Sequence, residues 1–115
     1  MKSLRLVINN DNFRKNKDTF FIKNELKTIL DLYAKMVSNG SWKDYSFTSG
    51  IKEVSFNVYQ RASEKPVLRI LKNLKPRYFN EKYLIKDKNG AILKKSENLN
   101  QLISKTSWNK LKLVK

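Results

Sequence analysis

Val54-Ser55-Phe56-Asn57-Val58-Tyr59 alternates apolar and polar side chains, and Val67-Leu68-Arg69-Ile70-Leu71 answers it across the polar connection Gln60-Arg61-Ala62-Ser63-Glu64-Lys65-Pro66. A period of two marks a strand with one face buried, and two such runs around a turn-forming stretch predict a β-hairpin. Placing Arg61 opposite Val67 sets Tyr59 against Arg69 and Asn57 against Leu71. Val54, Phe56, Val58, Leu68 and Ile70 then share the other face, which is core. The first face gathers Tyr59, Arg61 and Arg69, where a guanidinium can lie against the phenol ring and two arginines converge.

Upstream of the hairpin, Leu26, Ile29, Leu30, Tyr33, Met36 and Val37 recur at steps of three and four, the period of one buried helical face. Asn24 is the expected N-cap, and Gly40 supplies the left-handed residue beyond the helix end. The short aromatic run Thr19-Phe20-Phe21-Ile22 predicts a strand leading into this helix. Ser41-Trp42-Lys43-Asp44-Tyr45-Ser46-Phe47 is aromatic without a clean period, and Ser49-Gly50 turns the chain into the hairpin.

Downstream, Lys72-Asn73-Leu74-Lys75-Pro76-Arg77 is a basic connection. Tyr83-Leu84-Ile85-Lys86 and Ala91-Ile92-Leu93-Lys94 form a second hairpin around Gly90, with Asp87 opposite Ala91, Ile85 across from Leu93 and Leu84 across from Ile92. Ser96 is expected to cap a short helix carrying Leu99, Leu102 and Ile103, and Leu111 with Leu113 suggests a closing strand. The architecture that follows is α+β: a mostly antiparallel sheet of four to five strands, one long helix packed on it and a short second helix. Residues 1–18 lose their apolar period after Leu4, Leu6 and Ile8 and are expected to form a flexible basic arm, leaving 19–115 as a single domain.

A chain of 115 residues buries one ordinary core. It contains no cysteine and no histidine, which excludes disulfide frameworks, thiolate nucleophiles and the usual general base and metal ligand. Its 10 carboxylates are scattered and its 3 glycines each suit a turn, so no metal site, cofactor or phosphate loop is expected and an enzyme is not the reading. The apolar run at the amino terminus is too short for a signal peptide and no segment reaches membrane-span length, which points to the cytoplasm.

The net charge of +15 and pI of about 10.1 suit a polyanion, since lysines that neutralise phosphates release condensed counterions. Yet of 25 basic residues only Arg5, Arg14, Arg61, Arg69 and Arg77 are arginine, and an A+T-rich coding bias supplies lysine and asparagine in any case. Two readings of the hairpin stand open. In one, Glu64 pairs with Arg61 or Arg69, Ser63 satisfies the turn and Pro66 fixes the returning strand. In the other, Tyr59, Arg61, Ser63, Glu64, Arg69, Lys72, Lys75 and Arg77 contact a partner: nucleic acid, with RNA favoured, or an acidic protein. Trp42, Tyr45 and Phe47 offer either a base-stacking platform or a roof for the core, the roof being the favoured reading, and Trp108 is expected to pack the second helix.

The runs Gly40-Ser41-Trp42-Lys43-Asp44-Tyr45, Val54 through Pro66 with its Arg61-Ala62-Ser63-Glu64 block, and Arg69-Ile70 with Lys72 carry a resemblance over residues 20–115. The chain resembles a small bacterial, mainly alphaproteobacterial, family of unknown function, domain of unknown function twenty-seven ninety-four. The resemblance implies a bacterial cytoplasmic protein and carries no activity with it. The chain departs from the pattern by placing lysine or asparagine at many surface positions where arginine and acids are expected.

Overall fold

The structure is a computed structural model that describes residues 19–61 and 65–108. Five antiparallel strands follow one another in both sequence and space: β1 (Asp44–Ser49), β2 (Glu53–Tyr59), β3 (Leu68–Asn73), β4 (Tyr83–Asp87) and β5 (Ile92–Ser96). The long helix α1 (Lys23–Ser38) and the short helix α2 (Leu99–Ser104) pack on one and the same face, so the expected α+β architecture holds. Sequential pairing of this kind needs only short connections and no crossover.

The core lies between α1 and the face bearing Val54, Phe56, Val58, Leu68, Ile70, Tyr83 and Ile85, all buried. From the helix it receives Ile29, Leu32 and Met36, while Leu30 and Val37 stay exposed. The buried stripe is therefore rotated from the expected one, since Leu32 takes the place given to Leu30. Tyr33, Tyr45, Phe47 and Phe56 form a connected ring cluster with centroids 4.8 to 5.9 Å apart. β1 thus forms from the stretch in which no period was legible: Tyr45 and Phe47 face the helix and Ser46 and Thr48 face away. Trp108 closes the far side, edge-on to Trp42 at 5.8 Å, with its indole N–H donating to the Ile103 carbonyl at 2.9 Å.

Residues 19–22 form no strand. Their aromatic rings enter the core, with Phe21 buried and Phe20 against Phe47, and Ile22 is already the N-cap of α1. Asn24 is accordingly inside the helix, and the capping contact is made by Glu25, whose Oε1 accepts the Ile22 backbone N–H at 2.8 Å. At α2 the cap is Asn98, which accepts from the Gln101 N–H at 3.0 Å, while Ser96 accepts from Asn98 one step earlier. The expected arm and the closing strand at Leu111 and Leu113 lie outside the described residues.

Both hairpins correct the expected register. The pairs Asn57↔Arg69 and Val58↔Leu68 shift the first by two residues, which sets Phe56 instead of Val58 opposite Ile70 within the core. A shift of two keeps every side chain on its expected face. In the second, Asp87 meets Ala91 as expected, its N–H donating to the Ala91 carbonyl at 3.0 Å, but Ile92 is opposite Lys86 instead of Leu84, Ile85 opposes Lys94 and Leu84 opposes Lys95, leaving Leu93 as the extra residue of a bulge. The apolar pairs foreseen there give way to a lysine-bearing edge strand, a common protection against edge-to-edge pairing.

One side chain of β3 departs from its residue type altogether. Lys72 is on the helix-facing side, 1% exposed, with its ammonium 2.9 Å from Glu25 Oε1 and 2.9 Å from the Phe20 carbonyl. The Tyr83 hydroxyl donates to Glu25 Oε2. Charge, cap and hydroxyl thus satisfy one another where α1 meets the sheet, and no buried side-chain nitrogen or oxygen among the described residues lacks a partner. Lys72→Met removes one member and strands the Glu25 carboxylate, so urea unfolding should show a loss of about 3–5 kcal/mol. Glu25→Leu combined with Lys72→Met should recover part of it, because no charge is left uncompensated while the Tyr83 hydroxyl and the Ile22 N–H lose their acceptor.

Candidate functional site

The sheet face turned away from α1 and α2 is built by the alternate residues of each strand. On β1 and β2 it carries a polar lattice. Asn57 donates through Nδ2 to Thr48 at 2.9 Å and to Ser46 at 3.2 Å, and its Oδ1 accepts from the Ser55 hydroxyl at 2.9 Å. Ser46 also shares a hydrogen bond of 2.9 Å with the Tyr59 hydroxyl. On β3 and β4 the floor becomes apolar, with Leu71 opposite Leu84 and both buried.

Above this floor stands a run of positive charge. Arg69 is directly opposite Lys86, and Lys95 projects from β5 opposite Leu84. Like charges facing each other across a ladder repel, so this arrangement is no aid to folding. Among the described residues, the carboxylates that the strands carry on this face, Asp44 and Glu53, lie at opposite ends of β1 and β2, away from the pair. Glu81, from the connection between β3 and β4, reaches Lys95 at 3.7 Å.

The candidate residues separate into groups. Arg69 and Tyr59 share the face turned away from the helices, whose central residues Ser55, Asn57, Leu71 and Leu84 are buried, but the register shift puts Asn57 opposite Arg69, and the Tyr59 hydroxyl is bonded to Ser46. Arg61 is exposed at the hairpin tip, whereas Ser63 and Glu64 lie outside the described residues. Lys75 and Arg77 are exposed at the other end of the sheet, about 20 Å away along β2. Lys72 faces the core. The sequence pattern missed Lys86 and Lys95, whose position on this face follows only from the strand order and the bulge in β5.

Tyr45 and Phe47 meet edge to face, both are tilted against Phe56, and Trp42 is buried, which is the roofing role. Burial, with the charges of Asp44 and Tyr45 adding to it, holds the Tyr33 phenol above its ordinary value of 10.0. Its neutral form belongs to the fold, so the stability it contributes is complete below pH of about 10 and declines as pH rises further.

Two substitutions separate scaffold from surface on this face. Asn57→Ala leaves the Ser55 and Thr48 hydroxyls without their buried partner and should cost about 1–3 kcal/mol in urea unfolding. Arg69→Ala should change stability by no more than about 0.5 kcal/mol in the same measurement, as its head group is exposed and part of a like-charged pair.

A family model described as "Protein of unknown function (DUF2794)" matches residues 19–103. The match takes in both helices, all five strands and the hairpin connection. No curated protein and no solved structure matches the chain.

Proposed function

The chain belongs to this family of unknown function, and we propose that the protein is a binding module for nucleic acid, RNA above all, engaged through the face of the sheet turned away from the helices. The observation that carries the reading is the cross-strand pair Arg69 and Lys86 with Lys95 beside it. A fold gains nothing from setting like charges opposite one another, whereas a polyanion laid across the face relieves the repulsion and releases counterions. Lys75 and Arg77 extend the same charge to the β3–β4 connection. A total charge of +15 adds long-range attraction to a polyanion.

A second reading, docking of an acidic protein, draws on β5, which is at the edge of the sheet among the described residues and exposes Ile92 and Leu93 beside Lys94. An extended peptide can pair with such an edge through main-chain hydrogen bonds. Capture from lysate with and without nuclease separates the two: partners lost on nuclease treatment favour RNA, and one stoichiometric protein that survives it favours the edge.

Binding of a labelled RNA, followed by fluorescence anisotropy, should weaken steeply between about 50 and about 200 mM salt. Arg69→Ala with Lys86→Ala should lower affinity for every sequence alike and reduce the slope of log K against log salt by about 1.4 to 1.8 units. Salt-independent binding, or an affinity untouched by the double substitution, contradicts the proposal.

A further inference from the structure

The end of the sheet opposite the hairpin tip exposes three large apolar side chains among cations. Ile51, in the turn between β1 and β2, is 85% exposed, and Tyr78 and Phe79, in the connection between β3 and β4, are 60% and 82% exposed. The two segments are adjacent, since the Leu74 N–H donates to the Lys52 carbonyl at 2.8 Å. Lys52, Lys75 and Arg77 are exposed around them and Lys82 is half-buried. Of the two carboxylates that the described residues bring to this end, Glu81 reaches Lys95, which leaves Glu53 beside Lys52, Lys75, Arg77 and Lys82.

The backbone that carries these rings is held by hydrogen bonds. Asn73 anchors the connection at its base: its N–H donates to the Lys82 carbonyl at 2.7 Å and its side-chain amide to the Glu81 carbonyl at 3.2 Å. Phe79 begins a 3-10 turn, closed by the Glu81 N–H on Tyr78 and the Lys82 N–H on Phe79. Tyr78 itself is extended, so consecutive rings leave a fixed stub in a fixed backbone. Fixed display lowers the ordering cost of a ligand that uses them.

We propose that Tyr78 and Phe79 are the base-stacking element of this protein, receiving unpaired bases of a single-stranded nucleic acid whose phosphates run over Lys52, Lys75, Arg77 and Lys82. This inference rests on the nucleic-acid reading above and gives it a strand preference. Exposed aromatic faces interleaved with cations are the general means of holding single strands, because every base presents a π-face and every nucleotide a phosphate. A duplex, with its bases already stacked on one another, has nothing to offer these rings. The occupant is therefore distinct from one held by the charge of Arg69 and Lys86 alone, which does not discriminate strandedness.

The test compares the wild-type chain, Tyr78→Ala with Phe79→Ala, and Phe79→Trp, each against a short single-stranded RNA and the duplex of the same sequence. Wild type should prefer the single strand. The double alanine variant should lose about tenfold or more of single-strand affinity, keep its duplex affinity and salt slope, and unfold at the wild-type temperature, because both side chains are exposed. Phe79→Trp should retain single-strand binding. Equal single-strand affinity of the alanine variant and wild type overturns the stacking role while leaving the nucleic-acid reading intact. Failure of wild type to bind either RNA overturns both. The same aromatic and basic chemistry also suits an anionic lipid surface. Vesicle binding by wild type that the alanine variant loses, with no difference on RNA, would assign the rim to lipid and end the proposal.

Discussion

The contact between Lys72 and Glu25 decides how the rest of this molecule is arranged. A charged pair taken out of water recovers its desolvation cost only if both partners are fully satisfied, and here the carboxylate accepts from Lys72, from the Tyr83 hydroxyl and from the Ile22 N–H that opens α1. One side chain therefore both starts the helix and fixes it against β3 and β4. A hydrophobic contact between the same elements could slide along the helix axis. The directional pair cannot, which sets the placement of the buried stripe of Ile29, Leu32 and Met36.

The same constraint explains what could be read from the sequence. Alternation in Val54–Tyr59 and Leu68–Leu71 was enough to find β2 and β3 and to sort their faces, because a two-residue error of register preserves parity. The helix was legible by its period, but its rotation was not, since Glu25 occupies a buried position that hydropathy assigns to solvent. Lys72 was unreadable for the same reason: its core role depends on a carboxylate 47 positions earlier in the chain. Residues 19–22 resembled a strand because aromatic and β-branched residues favour one, while the packing of Phe21 and the cap at Ile22 used them otherwise. β1 was hidden because Tyr45 and Phe47 alternate with short polar residues over too few positions for the period to stand out.

At the surface, the hairpin's arginine block was the visible signal, and only part of it bears on the face turned away from the helices. Arg69 is there, but its neighbours are Lys86 and Lys95, brought by β4 and β5 rather than by the hairpin. No local pattern announces such a group, which exists only once strands distant in sequence are adjacent. Tyr78 and Phe79 were overlooked for the opposite reason: in a short basic connection, aromatic residues pass for core. Their exposure turns the composition of that segment from filler into a surface with a chemistry.

Under the proposed function, the two described helices stiffen a sheet that presents charge on its second face and rings at its rim. Backbone amide shifts of the nitrogen-15-labelled chain, titrated with a short single-stranded RNA, test this most directly. The account predicts that saturable shifts concentrate at Arg69 and Lys86, at Ile51 and Lys52, and through Lys75 to Lys82, with α1 unmoved. Shifts confined to the β5 edge, or none at all, would contradict it.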